Sequence, residues 1–387
     1  MSTFHELIPV TIASAFIFGM VLALLGSIKL PLAQRLGIDE ARVGGLLAAL
    51  NLALIPMMLL SGLLIDALGV RWVLIGGSIA TGLGLFLLAR AEAYRMALYS
   101  LMLTGAGGSC LSVGAIVLMP TAFFDERHPA AAANLGNAFF GLGALMTPAL
   151  TEVLTRLVGL RRTLSLLAAL CLLPALAGII AAAGAFPQAP DQPSDLAAVI
   201  GNPIVWLAGL VFMLYGPLEG VVGAWATTYL TEFGYSARRA LWLLSGFWLV
   251  FLAARLLTAF LQQHEVLPEG LEPWFILALA LLAAVVMGNL AGTHSRSSAA
   301  WGLIWVGAIF GPIFPTLVGI VFSNVDNSKR GSAYGLMYAI GASGSLIVPP
   351  MIGAYARRTS VRIALRIPII VALLLAAAVL ILALSVP

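Results

Sequence analysis

The chain contains twelve long apolar segments, and this repetition restricts its fold more than any other feature. A segment of about 20 apolar residues is long enough to cross the hydrocarbon core of a bilayer as a helix. Inside that core every backbone polar group needs a partner within the protein, which favours helices. Only 9% of the residues are charged and 61% are hydrophobic, whereas soluble domains carry about 25% charged residues. The sequence therefore predicts an all-α integral membrane protein.

The apolar segments form two groups of six, separated by the polar, proline-rich stretch 186–201. Proline-rich polar stretches between periodic segments are typical of loops, so we interpret 186–201 as a linker. We predict an N-terminal bundle of six helices over residues 1–185 and a C-terminal bundle over residues 202–387. The segments lie near 8–28, 43–65, 72–89, 96–123, 130–154, 163–185, 203–230, 240–261, 274–291, 299–323, 331–356 and 363–385.

The two groups also share a short pattern. The fifth and eleventh segments both contain Gly-x-Leu-x-x-Pro, at 143–148 and at 344–349. Internal repeats of this kind are common among membrane transporters, so we expect two pseudo-symmetric bundles with a cavity between them. Glycines in these segments are predicted to let neighbouring helices approach closely.

The seventh segment carries a carboxylate, Glu219, near its middle. A charge at this depth is costly, so by default it marks a functional site. Tyr215 lies four residues earlier, on the same helical face, and is expected to donate a hydrogen bond to Glu219. Gly216 and Pro217 weaken a helix, so we expect local unwinding beside Glu219. An ion pair with Arg255 of the eighth segment is the alternative, purely structural role of this carboxylate.

The end of the second segment, GLLIDALGVR at 62–71, resembles the signature loop of the major facilitator superfamily. The shared features are a glycine, an aspartate four residues later, a second glycine and a following basic residue, although Ala67 and Val70 replace residues that are usually basic. In that family the loop is cytoplasmic and its aspartate helps to hold the outward-open state. The resemblance implies gating roles for Asp66 and Arg71, and we assign a gating or interface role to Arg255 as well. Asp66 is predicted to bind the N-terminus of the helix that begins near Gly331, where the helix dipole is positive.

Three other segments resemble the fucose/galactose/glucose symporter branch of the same superfamily. They are 137–145 in the fifth segment, 202–229 in the seventh and 311–316 in the tenth. The resemblance implies uptake of a monosaccharide together with a proton or a sodium ion, by alternating access. The proton-driven fucose carriers use acidic residues in their first and fourth helices, and both helices lack one here. The coupling ion, and coupling itself, therefore stay open.

Recognition of a pyranose requires hydrogen-bonding side chains and an aromatic surface for the sugar ring. Asn134 and Tyr334 are among the side chains that could supply such groups from the apolar segments. We expect Glu219 to bind the coupling ion as well as the substrate. No catalytic residue, cofactor or metal site is expected, and the small basic excess does not suggest nucleic-acid binding. The predicted substrate-binding residues are Asn51, Asn137, Tyr215, Glu219, Trp225 and Tyr338.

The alternative function is export of drugs or other amphipathic compounds by a member of the same superfamily. Such an exporter would prefer an apolar, methionine-rich cavity and often carries a carboxylate in its first half, whereas Glu219 lies in the second half. We expect a monomeric transporter of a small polar solute in the plasma (inner) membrane, crossing it many times. The cytoplasmic signature loop implies that both termini and the linker 186–201 are cytoplasmic. This orientation places many arginines, among them Arg156, Arg238 and Arg362, on external loops, against the positive-inside rule.

Overall fold

The structure is a computed structural model that describes residues 3–124, 126–187 and 196–386. These residues form helices and contain no strand. Twelve helical spans among them are long and apolar enough to cross a membrane, which confirms the predicted all-α membrane fold. The spans are Leu7–Leu36, Arg42–Leu68, Val70–Leu88, Tyr94–Phe124, Pro129–Val158, Leu160–Ile180, Pro203–Glu232, Ala237–Gln263, Glu272–Gly292, Arg296–Ser323, Asn327–Ala356 and Val361–Ser385.

Several spans are interrupted close to a proline, because proline cannot donate a backbone hydrogen bond. The seventh span is different: it is one continuous helix from Pro203 to Glu232 with Pro217 inside it. The unwinding that we expected beside Glu219 is therefore wrong for this structure. The interrupted spans consist of Leu160–Leu170 and Leu173–Ile180 in the sixth, Arg296–Phe310 and Ile313–Ser323 in the tenth, Arg330–Ala342, Ser343–Leu346 and Val348–Ala356 in the eleventh, and Val361–Ala364 and Arg366–Ser385 in the twelfth.

Polar side chains fix the starts of several spans. Asp39 accepts a hydrogen bond from the Arg42 backbone N–H at 2.9 Å, at the start of the second span. Asn202 accepts one from the Ile204 N–H at 2.9 Å, at the start of the seventh span. Such caps satisfy backbone donors that have no partner within the helix. The sequence thus defines where the seventh span begins, and with it the depth of Glu219.

The chain divides into two compact units. The first contains Met1–Arg127, Gly136–Val199 and Asp326–Gly335, and the second contains His128–Leu135, Ile200–Val325 and Leu336–Pro387. The domain boundaries at 185 and 202 stay a prediction. The most polar part of the proposed linker, 188–195, lies outside the described residues, and Leu196–Ile200 after it is a short helix.

Glycine allows the same kind of close approach in each unit. In the first unit, a Cβ atom on Gly143 of the fifth span would overlap the backbone carbonyl of Phe16 in the first span. In the second unit, a Cβ atom on Gly344 of the eleventh span would overlap the carbonyl of Met213 in the seventh span. The two members of the repeated Gly-x-Leu-x-x-Pro pattern therefore perform the same packing task, as small residues do where membrane helices meet.

We expect Gly143→Ala to lower the melting temperature of the protein in detergent. The added methyl group meets the rigid Phe16 backbone, and overpacking of this kind costs about 1–3 kcal/mol. Gly76→Ala in the third span is the matched control, because a Cβ atom there meets nothing within 4 Å and alanine favours a helix. Equal melting temperatures for the two variants would contradict the close contact at Gly143.

Candidate substrate-binding and gating sites

The interruption of the tenth span leaves backbone carbonyl groups that side chains of the second unit satisfy. Pro315 lies four residues after Gly311, so the helical hydrogen bond to the Gly311 carbonyl cannot form. Arg255 Nε donates to that carbonyl at 2.8 Å. The Tyr215 hydroxyl lies 2.8 Å from the carbonyl oxygen of Phe310. Unpaired carbonyl groups at membrane depth are costly. Arg255 removes that cost at Gly311, and the Tyr215 hydroxyl reduces it at Phe310.

Tyr215 also connects Arg255 to Glu219. Its hydroxyl donates to the Glu219 carboxylate at 2.8 Å, which confirms the predicted hydrogen bond along the helix. The Arg255 guanidinium donates to the Tyr215 hydroxyl and interacts electrostatically with Glu219. Arg255 is only 2% exposed, whereas Glu219 is half-buried. The carboxylate therefore keeps an open side while its charge is compensated from the buried side.

An aromatic cluster lies beside this carboxylate. The ring of Phe212 is 4.7 Å from the ring of Phe314 and 5.2 Å from the ring of Tyr338, measured between centroids. Tyr338 is close enough to Glu219 to interact with its charge. Sequence reasoning missed Phe212, although it lies three residues before Tyr215 and seven before Glu219. That spacing puts all three side chains on one face of the helix.

Three further residues are predicted to bind substrate: Asn51, Asn137 and Trp225. Asn51 is exposed and donates its amide to the Leu47 carbonyl of its own helix at 3.1 Å. Asn137 is 7% exposed. Both belong to the first unit. Trp225 is half-buried, and a Cβ atom added to Gly353 of the eleventh span would lie 3.3 Å from its indole ring. Their role in binding stays a prediction.

Asn134 joins helices. It is fully buried, and its amide nitrogen lies 3.1 Å from Gln262 Oε1 and 3.0 Å from Thr316 Oγ1. These bonds connect the start of the fifth span with the eighth and tenth spans, all in the second unit. Hydrogen bonds between buried polar side chains commonly connect membrane helices in this way. The structure thus gives Asn134 a packing role.

Asp66 binds the start of the eleventh span, as the signature loop predicts. Its carboxylate accepts hydrogen bonds from the backbone N–H groups of Gly331 at 3.1 Å and Ser332 at 2.8 Å, and the residue is 4% exposed. Gly62 makes this contact possible, because a Cβ atom there would overlap the Gly331 carbonyl. The spacing of Gly62 and Asp66 in the motif therefore has a direct physical cause.

A second acidic residue contacts the same helix start. Glu126 forms an ion pair with Arg330 and accepts a hydrogen bond from Thr121. Its φ angle of 66° lies in the left-handed region, which is uncommon for residues other than glycine. Sequence reasoning missed Glu126 because it follows the fourth span in a turn, outside the motif. Two carboxylates of the first unit thus hold the segment that begins with Arg330.

Arg71, the basic residue of the signature loop, contacts a different helix. Its guanidinium donates to the carbonyl groups of Gly178 at 3.0 Å and Ile179 at 3.3 Å, at the end of the sixth span. It also lies over the rings of Trp72 and Phe186. A cation at a helix C-terminus is favourable because the last carbonyl groups carry partial negative charge. A gating role for Arg71 stays a prediction.

Comparisons with known proteins agree with this architecture. The family model for the Major Facilitator Superfamily matches residues 11–349. A crystal structure of a variant of the E. coli fucose:proton symporter has a TM-score of 0.78 at 20% sequence identity, covering 98% of this chain and 99% of that chain. A structure of a proton:xylose symporter bound to 6-bromo-6-deoxy-D-glucose has a TM-score of 0.76 at 14% identity, covering 99% and 96%. A search of curated proteins finds no match.

The twelve apolar spans define a multi-pass membrane protein, and the match to the Major Facilitator Superfamily model identifies it as a transporter. The family match covers most of the sequence. The chain therefore belongs to the major facilitator superfamily and is not an enzyme. The identities to the solved structures are low, so these structures show the shared fold alone.

We expect the stability effects of Glu219 and Arg255 to be strongly coupled. Arg255→Gln leaves the half-buried carboxylate without its compensating charge, so it should destabilise the protein markedly. Adding Glu219→Gln should then cost less than it does alone, with a coupling energy of about 0.5–3 kcal/mol. The measurement is unfolding of the two single variants and the double variant in detergent.

The ion pair of Glu152 and Arg156 is the matched control for this comparison of single and double variants. These residues form an exposed ion pair one helical turn apart in the fifth span. The coupling energy of such a pair is about 0.3–0.5 kcal/mol. If the costs of Glu219→Gln and Arg255→Gln simply add, the two charges do not stabilise each other through Tyr215.

Proposed function

We propose that this transporter carries a monosaccharide across the membrane together with a cation, by alternating access. The observation that carries the proposal is the half-buried Glu219 carboxylate, which accepts a hydrogen bond from the Tyr215 hydroxyl and interacts electrostatically with Tyr338. Carboxylates accept hydrogen bonds from sugar hydroxyls, and aromatic faces pack against the apolar face of a pyranose. The cluster of Phe212, Phe314 and Tyr338 supplies such faces within the same unit.

Glu219 is also the proposed site of the coupling ion. Two of the similar solved structures are of a fucose:proton symporter and a proton:xylose symporter, which supports the proton over sodium. The first and fourth spans contain no acidic residue in their apolar cores. Glu219 would then carry both tasks, which requires the proton and the sugar to bind the same carboxylate region.

We further propose a plasma (inner) membrane location, a monomeric state and cytoplasmic termini. The orientation follows from the proposed cytoplasmic position of the loop that carries Asp66. With this orientation, the contact between Asp66 and the eleventh span is a cytoplasmic latch that forms and breaks during the transport cycle.

Glu219→Gln should abolish sugar accumulation driven by an ion gradient. Glutamine keeps the shape of the side chain and removes its charge, so coupling is lost while exchange of sugar across the membrane survives. The measurement is uptake into proteoliposomes from a panel of labelled fucose, galactose, glucose and xylose, with an imposed proton or sodium gradient.

Glu152→Gln, at an exposed carboxylate of the fifth span, is the control and should leave uptake unchanged. Full accumulation in Glu219→Gln would show that this carboxylate only supports the fold. Absence of sugar uptake by the wild type, together with gradient-driven export of a cationic dye, would favour the exporter of the same superfamily instead.

Asp66→Asn should loosen the latch. The asparagine side chain offers one oxygen and no charge to the backbone N–H groups of Gly331 and Ser332. The interaction of a carboxylate with a helix start is worth about 0.3–1 kcal/mol, or more when it is partly buried. Hydrogen exchange of the Gly331 and Ser332 amides, followed by mass spectrometry, should become severalfold faster, and the transport rate should change with it.

Asp326→Asn is the control for this measurement. Asp326 lies in the turn before the eleventh span, and its carboxylate is exposed and paired with Lys329. It should affect neither exchange nor transport. Unchanged exchange and unchanged transport in Asp66→Asn would overturn the latch.

A further inference from the structure

A basic cleft at one end of the second unit is not explained by sugar transport. It is lined by Glu232, Phe233, His294, Arg296, Ser360 and Arg362 and has a volume of about 610 Å³. Ligand sites in proteins commonly enclose about 300–1,000 Å³. The cleft therefore has room for an organic ligand rather than for a single ion.

The cleft lies where three spans end or begin. Glu232 is the last residue of the seventh span, Arg296 is the first of the tenth, and Arg362 is the second of the twelfth. The ends of membrane spans lie at the level of the lipid headgroups. The cleft lies at the same end of the spans as the proposed external loops with their surplus of arginine. Other arginines at this end are Arg238, Arg239, Arg357 and Arg358.

Both arginines of the cleft are held in place by uncharged groups. Arg362 Nη1 lies 3.3 Å from the carbonyl oxygen of Thr293 and 3.0 Å from His294 Nδ1. The Arg296 guanidinium lies 4.0 Å from the centroid of the Tyr235 ring. Among the described residues, neither guanidinium forms an ion pair with a carboxylate. The two guanidinium groups are thus held in place without a carboxylate in ion-pair contact.

The single carboxylate of the cleft is already engaged. Glu232 accepts hydrogen bonds from the backbone N–H groups of Val361 at 2.8 Å and Arg362 at 3.2 Å, one with each oxygen. It therefore fixes the loop that carries Arg362, and its charge is offset by one of the two arginines. His294 accepts from Arg362 through Nδ1, so its Nε2 carries the proton and is a further donor.

We propose that this cleft binds a phosphate group, carried either by a phospholipid headgroup or by a soluble phosphate ester. The planar, forked guanidinium groups of Arg296 and Arg362 match the geometry of phosphate oxygens. The Ser360 hydroxyl and the His294 ring supply neutral donors at the same cleft, and Phe233 forms an apolar wall. The site is separate from the Glu219 cluster, and it gives a function to arginines that the positive-inside rule would not place on external loops.

The experiment is native mass spectrometry of the purified full chain with phosphatidylglycerol or phosphatidylcholine added to the detergent. The wild type should retain phosphatidylglycerol, which has a net negative charge, more strongly than phosphatidylcholine. Arg296→Gln should weaken retention of phosphatidylglycerol about tenfold, since it removes a charge-assisted hydrogen bond. The double variant Arg296→Gln, Arg362→Gln should weaken it further.

Arg156→Gln is the matched control, because this exposed arginine lies in the first unit and pairs with Glu152. It should leave lipid retention unchanged. Arg296 is exposed, so its variant remains informative even if replacement of Arg362 disturbs the loop.

Competition by glycerol 3-phosphate identifies the source of the phosphate group. Displacement of phosphatidylglycerol by this soluble ester supports a soluble ligand, and resistance to displacement supports a lipid. The proposal is overturned if the wild type retains neither phosphatidylglycerol nor glycerol 3-phosphate. It is equally overturned if Arg296→Gln and Arg156→Gln retain the lipid as the wild type does.

Discussion

The hydrogen bond from Arg255 to the Gly311 carbonyl is the interaction on which the candidate site depends. Pro315 makes the tenth span unable to satisfy that carbonyl, and a membrane helix cannot leave it to water. A buried guanidinium solves this problem but introduces a positive charge at membrane depth, which itself needs compensation. Glu219, reached through Tyr215, supplies the opposite charge. The interruption of the tenth span thus accounts for both Glu219 in the seventh span and Arg255 in the eighth.

Close glycine contacts give this arrangement its rigidity. In the second unit, Gly344 and Gly209 each bring the seventh and eleventh spans together, Gly344 against the Met213 backbone and Gly209 against the Ile340 side chain. This approach brings Phe212 of the seventh span against Tyr338 of the eleventh. Because lipid provides no hydrophobic drive for helices to associate, such packing and the few interhelical hydrogen bonds hold the spans. The aromatic cluster beside Glu219 is a product of that packing.

Features that depend on local sequence could be predicted, and features that depend on distant contacts could not. The twelve spans follow from hydropathy, and the bond between Tyr215 and Glu219 follows from the spacing along one helix. The contact of Asp66 with the eleventh span came from the resemblance of the signature loop. The unwinding expected at Gly216 and Pro217 is absent from this structure, in which Pro217 is buried within a continuous helix. The tenth span is interrupted instead. The side chains that bond to its free carbonyl groups, Arg255 and Tyr215, are far away in sequence.

The Tyr215 hydroxyl has one proton and two acceptors, the Glu219 carboxylate and the Phe310 carbonyl, each at 2.8 Å. It cannot serve both at full strength. The charged carboxylate is the stronger acceptor, so in the unloaded state it competes with the carbonyl at the break of the tenth span. In the transport cycle proposed above, a proton, or a sugar hydroxyl that donates to Glu219, would reduce this competition and let Tyr215 turn its proton towards Phe310. The proposed occupancy of Glu219 would thereby be linked to the hydrogen bonding of the interrupted tenth span through a single side chain.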